Sequence, residues 1–203
     1  NAFLAAEDDR FFEHPGFDYQ GIVRAGVNLL LTGSRSQGGS TITQQLAREY
    51  FLTRDRTFLR KAKELILAIR IESEFSKQEI LALYLNAIFL GQRAYGVAAA
   101  AEVYFGESLD QLSIAQAAAI AGLPAAPSRY NPVSNPVLAR ERRAYVLRRM
   151  LELDFIDRTE VEVAIVAPIE SRPHVPKVDL HAPYVAEMVR SEMIRRYGPS
   201  AYT

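Results

Sequence analysis

Cysteine is absent from all 203 residues, which excludes thiolate nucleophiles, thiolate metal sites and disulfide staples. The absence says little about compartment, since many periplasmic proteins also do without disulfides. Net charge is missing too: 24 basic residues balance 24 acidic ones. Bulk electrostatics therefore gives no case for nucleic-acid binding, and any anionic ligand must be met by a local cluster. No segment approaches the roughly 20 apolar residues of a transmembrane helix. The nearest, GIVRAGVNLLLTG from Gly21, is broken by Arg24 and Asn28. No leader peptide is visible and the sequence opens without a Met, so an anchoring segment upstream is expected. The three histidines lie far apart, which leaves no all-protein metal site. Internal repeats, low-complexity tracts and strong strand signals are also lacking, apart from short pieces such as VEVAIV.

What is present is helical patterning over an ordinary globular composition, 49% hydrophobic and 24% charged, with enough length to bury a core. Residues 57–75 place Leu59, Ala62, Ile66 and Ile69 at helical spacing, with Arg60, Lys61, Lys63 and Glu64 on the other sides. Ser76 and Glu79 form a capping box ahead of a helix carrying Ile80, Leu81, Tyr84, Leu85 and Ile88. Ser113 and Gln116 form another, before an Ala-rich helix that stops at Gly122 and Pro124. A helix over about 137–153 follows, then a short one expected to be capped by Thr159 with Glu162, and a last amphipathic helix near 184–197. Two segments read as functional loops: TGSRSQGGS at 32–40, and LPAAPSRYNPVSNP at 123–136, whose four prolines forbid a long helix. The domain is expected to span 1–168, with 169–203 a linker and passage to a further domain.

Five motifs have chemical content. EDDRFFEHPGFD, from Glu7 to Asp18, sets acidic residues beside aromatics, the raw material of a partly buried general base. Taken alone, an acidic pair of this kind is ordinarily a solvated cap, and His14 a turn or packing residue. GGSTITQQ, from Gly38 to Gln45, pairs flexible glycines with the capping hydroxyls of Ser40 and Thr41. The helix N-terminus they open, with its free N–H groups, suits a phosphate. RKAKE, from Arg60 to Glu64, puts two cations and a carboxylate on one helical face. Such a face is commonly just solvated, and its functional alternative is a diphosphate clamp. KQEILALYLNAIFLG, from Lys77, is mostly core, with Asn86 expected to be buried and to fix the helix against a neighbouring loop. RRAYVLRRM, from Arg142, reads as a basic amphipathic helix with a solvated face.

The order and spacing of these motifs decide more than any one of them. EDxxFxxHxGxD, GGSTITQQ, RKxxE, KxEILxxYLN and RRxxVL, over about residues 2–153, resemble the signature of the family 51 glycosyltransferases. These are the transglycosylase domains of class A penicillin-binding proteins and their monofunctional relatives. The resemblance implies a mainly α, lysozyme-like fold of two lobes with a cleft between them. It implies an inverting peptidoglycan glycosyltransferase that joins lipid II, as acceptor, to a growing glycan on undecaprenyl diphosphate, the donor, through a β-1,4 bond. Glu7 matches the base that deprotonates the acceptor hydroxyl, and Glu64 the second essential carboxylate on the diphosphate side. Arg60 and Lys61 match the cationic partners of Glu64. Ser40, Thr41, Gln44, Gln45 and Arg48 match cleft positions that meet the donor or the inhibitor moenomycin, Arg48 standing where Lys is frequent. Asn86, in the fourth motif, is expected among the substrate-binding residues with them.

The same resemblance implies the outer, periplasmic face of the bacterial membrane as location and a fused transpeptidase domain as neighbour. It requires no cofactor, although a divalent Mg or Mn ion is possible at the diphosphate site. Nearby cations are expected to keep Glu7 ionised at neutral pH. A diphosphate leaves without strong acid assistance, so cations can stand where a glycosidase needs a protonated acid. The apolar stretch from Gly21 would then contact membrane, with Arg24 snorkelling to headgroups. The competing readings are a lysozyme-like or lytic transglycosylase, which needs no diphosphate clamp, and a non-catalytic scaffold, which needs neither Glu7 nor Glu64.

Overall fold

The structure is a computed structural model describing residues 1–21, 39–51, 57–172, 174 and 183–198. Most of the apolar stretch from Gly21, the 32–40 loop up to Gly38, and most of the 173–182 segment lie outside the described residues.

Among the described residues the fold is mainly α, with a single isolated β-bridge between Phe89 and Tyr95 and no named strand. The helices are α1 (Ala2–Glu7), α2 (Ile42–Phe51), α3 (Phe58–Glu74), α4 (Lys77–Ala87), α5 (Val97–Phe105), α6 (Ile114–Ala121), α7 (Pro136–Glu152), α8 (Arg158–Val166) and α9 (Pro183–Tyr197). A 3-10 turn at Leu109–Gln111 joins α5 to α6. Two packed groups share one core. Helix α2 lies against α3 and α4, while α1, α6, α7 and α8 pack around one another; α5 links the groups through α4 and α6.

Local chemistry explains most helix starts. The Ser76 and Ser113 hydroxyls accept from the N–H of Glu79 and Gln116, whose side chains reach back to the cap N–H groups. Thr57 caps α3 through the N–H of Arg60. At α8 the expected cap is displaced by two residues. Asp157 accepts from Glu160 N–H at 2.8 Å, and Glu160 returns a bond to Asp157 N–H, so Thr159 lies inside the helix. VEVAIV, which reads as strand by its β-branched residues, forms the body of that helix and buries Val161 and Ala164 against the core.

Helix α5 has no counterpart in the sequence reading. It begins after Gly96, at φ +83, where a Cβ would sit 2.6 Å from the Asn86 carbonyl oxygen, so only glycine permits this close approach of α4. It ends at Gly106 in the left-handed conformation, whose N–H caps the Glu102 carbonyl.

Helix α3 reverses the face assigned from periodicity. Leu59 and Ile66 are each 67% exposed and Ile69 48% exposed, whereas Glu64 is 1% exposed. Its inward contacts come from Glu64, Ala68 and Ile71.

Helix α7 is not a solvated basic face either. Arg143 is buried and donates to the carbonyls of Ile165 (3.1 Å) and Ala167 (2.6 Å), closing the C-terminal end of α8. Arg149 ties α7 to the first motif through Asp9, at 2.7 Å. Beyond residue 168 the chain still touches the core: Ser171 donates to the Tyr104 carbonyl and His174 N–H to that of Val103, both at 3.0 Å.

Candidate active site

Glu7 is the last residue of α1, and the apolar run before it, Phe3 to Ala6, is buried. The core helix thus delivers a carboxylate to a nearly dry position, with its side chain 11% exposed. Oε2 accepts a hydrogen bond from Gln45 Nε2 at 2.8 Å, and Oε1 lies 3.8 Å from Arg142 Nη2. Burial pushes the Glu7 carboxyl above the ordinary carboxylate range. The Gln45 bond and the charges of Arg142 and Arg48 pull it back, while Asp8 adds to the rise. The expected cations are therefore in place, but desolvation outweighs them. The outcome is a carboxylate of raised proton affinity, a stronger proton acceptor than a solvated one.

The first and second motifs are knit together around this group. Asp8, itself buried, accepts from the Ile42 N–H at 3.0 Å and from His14 Nε2 at 2.9 and 3.1 Å. Thr41 accepts from the Gln44 N–H (3.2 Å) and donates to the Gly16 carbonyl (2.7 Å). The N–H groups expected to be free for a phosphate at the start of α2 are thus satisfied internally at Ile42 and Gln44. Lys77, from the fourth motif, donates to the His14 carbonyl (2.6 Å) and to Glu72 (2.8 Å) and lies over the Phe11 ring. These contacts fix the loop that follows Glu7.

A second carboxylate is built on α3. Glu64 is buried between two cations: Arg60 Nη1 bonds Oε1, and Lys61 Nζ donates to Oε2 at 3.0 Å. Lys61 also donates to Ser40 Oγ (2.7 Å) and to Gln44 Oε1 (3.0 Å), which binds the second motif to the third. The two adjacent glutamines of α2 therefore face different carboxylates. Gln44 joins the Lys61–Glu64 cluster, and Gln45 holds Glu7.

Arg48 sits in the last turn of α2, partly buried, close enough for its charge to act on Glu7. Asn86 stands apart. It is exposed, and its amide donates to the Ala82 carbonyl of its own helix at 2.8 Å. The expectation of a buried Asn86 side chain anchoring a loop is thus wrong; its backbone carbonyl makes the contact, against Gly96. Two site residues escaped the sequence reading. Arg142 faces Glu7 and stacks over Tyr145 at 4.5 Å and Tyr130 at 5.6 Å. Tyr84 donates its hydroxyl to Gln45 Oε1 at 3.3 Å. Both lie inside quoted motifs, but helical periodicity gives no sign of which arginine turns inward.

The family described as Transglycosylase matches residues 1–151. The chain belongs to that family. Its enzyme class is accordingly that of a transglycosylase domain. Penicillin-binding protein 1A of Pseudomonas aeruginosa is 52% identical over 203 residues, 100% of this chain and 25% of that protein. The Escherichia coli K12 protein of the same name is 53% identical over 201 residues, 99% of this chain and 24% of its own length. The transglycosylase chain thus spans about a quarter of the relatives it matches. The crystal structure of penicillin-binding protein 1A from Haemophilus influenzae covers 77% of the chain, at 40% identity and a TM-score of 0.50; the chain corresponds to 20% of it. The mainly α, lysozyme-like fold class expected from the motifs agrees with this neighbour.

Proposed function

We propose that this transglycosylase domain polymerises lipid II on the outer face of the bacterial cytoplasmic membrane, with Glu7 as base and the Lys61–Glu64–Arg60 cluster serving the diphosphate. Glu7 takes the proton of the acceptor GlcNAc 4-hydroxyl. The oxygen attacks the anomeric carbon of the donor MurNAc from the opposite face, a β-1,4 bond forms, and the bond to undecaprenyl diphosphate breaks. Lys61, half exposed at 47%, is the cation best able to turn from its protein partners to a phosphate oxygen. Arg60 then remains as the counter-ion of the buried Glu64.

One observation carries this reading: neighbouring glutamines on α2 reach a proton-accepting carboxylate on one side and a cation cluster on the other. Inverting transfer from a lipid diphosphate needs this pairing of base and anion clamp. Glycan hydrolysis needs a protonated acid at the leaving group instead. No helix among the described residues is long and apolar enough to cross a membrane. Support for a membrane surface comes instead from α3, whose exposed Leu59, Ile66 and Ile69 form an apolar stripe suited to lipid contact. The whole protein would carry this domain beside a transpeptidase and a membrane anchor.

The test is incubation of the protein with labelled lipid II in detergent, with and without moenomycin. Moenomycin-sensitive β-1,4 glycan with release of undecaprenyl diphosphate is expected. Cleavage of finished glycan, with no polymer formed, would favour a lytic enzyme.

A further inference from the structure

Tyr84 belongs to the part of the fourth motif that reads as core, and most of it is core. The residue is 1% exposed and its ring meets Phe3 edge-on at 6.2 Å. Packing alone would be served equally by phenylalanine. The hydroxyl is what needs an explanation, since burying it without a partner is costly. Its acceptor among the described residues is Gln45 Oε1, at 3.3 Å, and the same Gln45 donates through Nε2 to Glu7 at 2.8 Å. From this chain of two bonds we infer that Tyr84 is a positioning residue for the reaction, holding the Gln45 amide so that its N–H faces the ionised Glu7 carboxylate. The inference rests on the reading of Glu7 as the base.

With Glu7 ionised, the amide N–H donates to the carboxylate and the tyrosine hydrogen fills the amide oxygen, so every group is satisfied. With Glu7 protonated on Oε1, the same N–H meets the neutral Oε2, a weaker acceptor than a carboxylate, so an amide held in this sense gains most when Glu7 is ionised. The hydroxyl therefore favours the ionised, proton-accepting form, and replacing it by hydrogen removes the preference.

Other groups act on Glu7 from every side: Arg48 on α2, Arg142 and Tyr145 on α7, and Asp8 beside it on the chain. All of them remain in a Tyr84→Phe protein, and so does the Phe3 contact. The change is confined to one hydroxyl.

The experiment is the pH dependence of kcat/KM for lipid II polymerisation by wild type, Tyr84→Phe and Gln45→Met, with Glu7→Gln as the control for the base. The expected result is an acid limb displaced to higher pH in Tyr84→Phe by on the order of one unit, so that activity below the limb falls about tenfold and recovers above it. Gln45→Met, which removes the amide and leaves Tyr84 in place, shifts the limb the same way. In the Gln45→Met background, Tyr84→Phe adds no further shift. A Tyr84→Phe protein that loses activity equally at all pH values, or keeps the wild-type profile, overturns the inference while leaving the Glu7 assignment intact. Retained polymerisation by Glu7→Gln overturns both. Should Tyr84→Phe not fold, an unshifted limb in Gln45→Met alone is enough to overturn it.

Discussion

Glu7→Gln should make this protein more stable at neutral pH while making it inactive. Burial raises the Glu7 carboxyl in the folded state, and the hydrogen bond from Gln45 with the charges of Arg142 and Arg48 only partly offset this. In the unfolded chain the same carboxyl titrates in its ordinary range. Between those two values the folded protein binds more protons than the unfolded one, so stability falls as pH rises through that window. Above the window the folded state holds an ionised carboxylate at a cost of about 1.4 kcal/mol for each unit of elevation. Glutamine keeps the size of the side chain and removes the charge. It can still accept from Gln45 Nε2, and Arg142 retains its stacking on Tyr130 and Tyr145. For a chain of this length each kcal/mol is worth about 2–4 °C in Tm. The assay is thermal melting of both proteins from pH 4 to pH 8.5. The variant should melt higher at and above neutral pH, and the difference should vanish near pH 4, where wild type is protonated in both states. A pH-independent difference, or a variant less stable at pH 8, would refute the claim that burial dominates at Glu7.

Four further substitutions probe the cation cluster, the buried arginine of α7 and the cap of α8. Lys61→Met removes the donor to Oε2 of the buried Glu64, which keeps Arg60, so thermal stability should fall by about 1–3 kcal/mol. Moenomycin titration should show affinity roughly ten- to hundredfold weaker, and unchanged affinity would remove Lys61 from the clamp. Arg143→Met strips the charged donor from the Ile165 and Ala167 carbonyls and should cost roughly 2–3 kcal/mol in denaturant unfolding, whereas a solvated arginine would cost almost nothing. Asp157→Ala should cost about 1 kcal/mol as a lost helix cap and Thr159→Ala about half that or less; the reverse order would return the cap to Thr159.

The helices most legible in the sequence are those whose start is written locally. Ser76 with Glu79 and Ser113 with Gln116 specify their own boxes, and the structure keeps both. Helix α5 was hidden because its limits are set by Gly96 and Gly106, and the need for Gly96 comes from a carbonyl ten residues earlier on α4. The face of α3 was misread because periodicity assumes that apolar residues turn inward. Here Glu64 is buried by pairing with Arg60 and Lys61, and Ile66 faces outward. The motifs brought Glu7, Gln45, Lys61 and Glu64 into view, since their spacing is carried by the chain itself. Arg142 and Tyr84 were not singled out, because what distinguishes them is a contact across the fold. Asn86 erred in the opposite direction: polar within an apolar run, it is exposed and bonds its own helix.

The central claim is that Glu7 is the proton acceptor in glycan polymerisation, and its most direct test is the rate of lipid II consumption by wild type and Glu7→Gln under identical conditions, with moenomycin affinity measured on both. Moenomycin-sensitive polymer is expected at a rate lower by about two to four orders of magnitude in the variant than in wild type, with moenomycin bound by both proteins. Polymer formed by Glu7→Gln at a rate near that of wild type would contradict it.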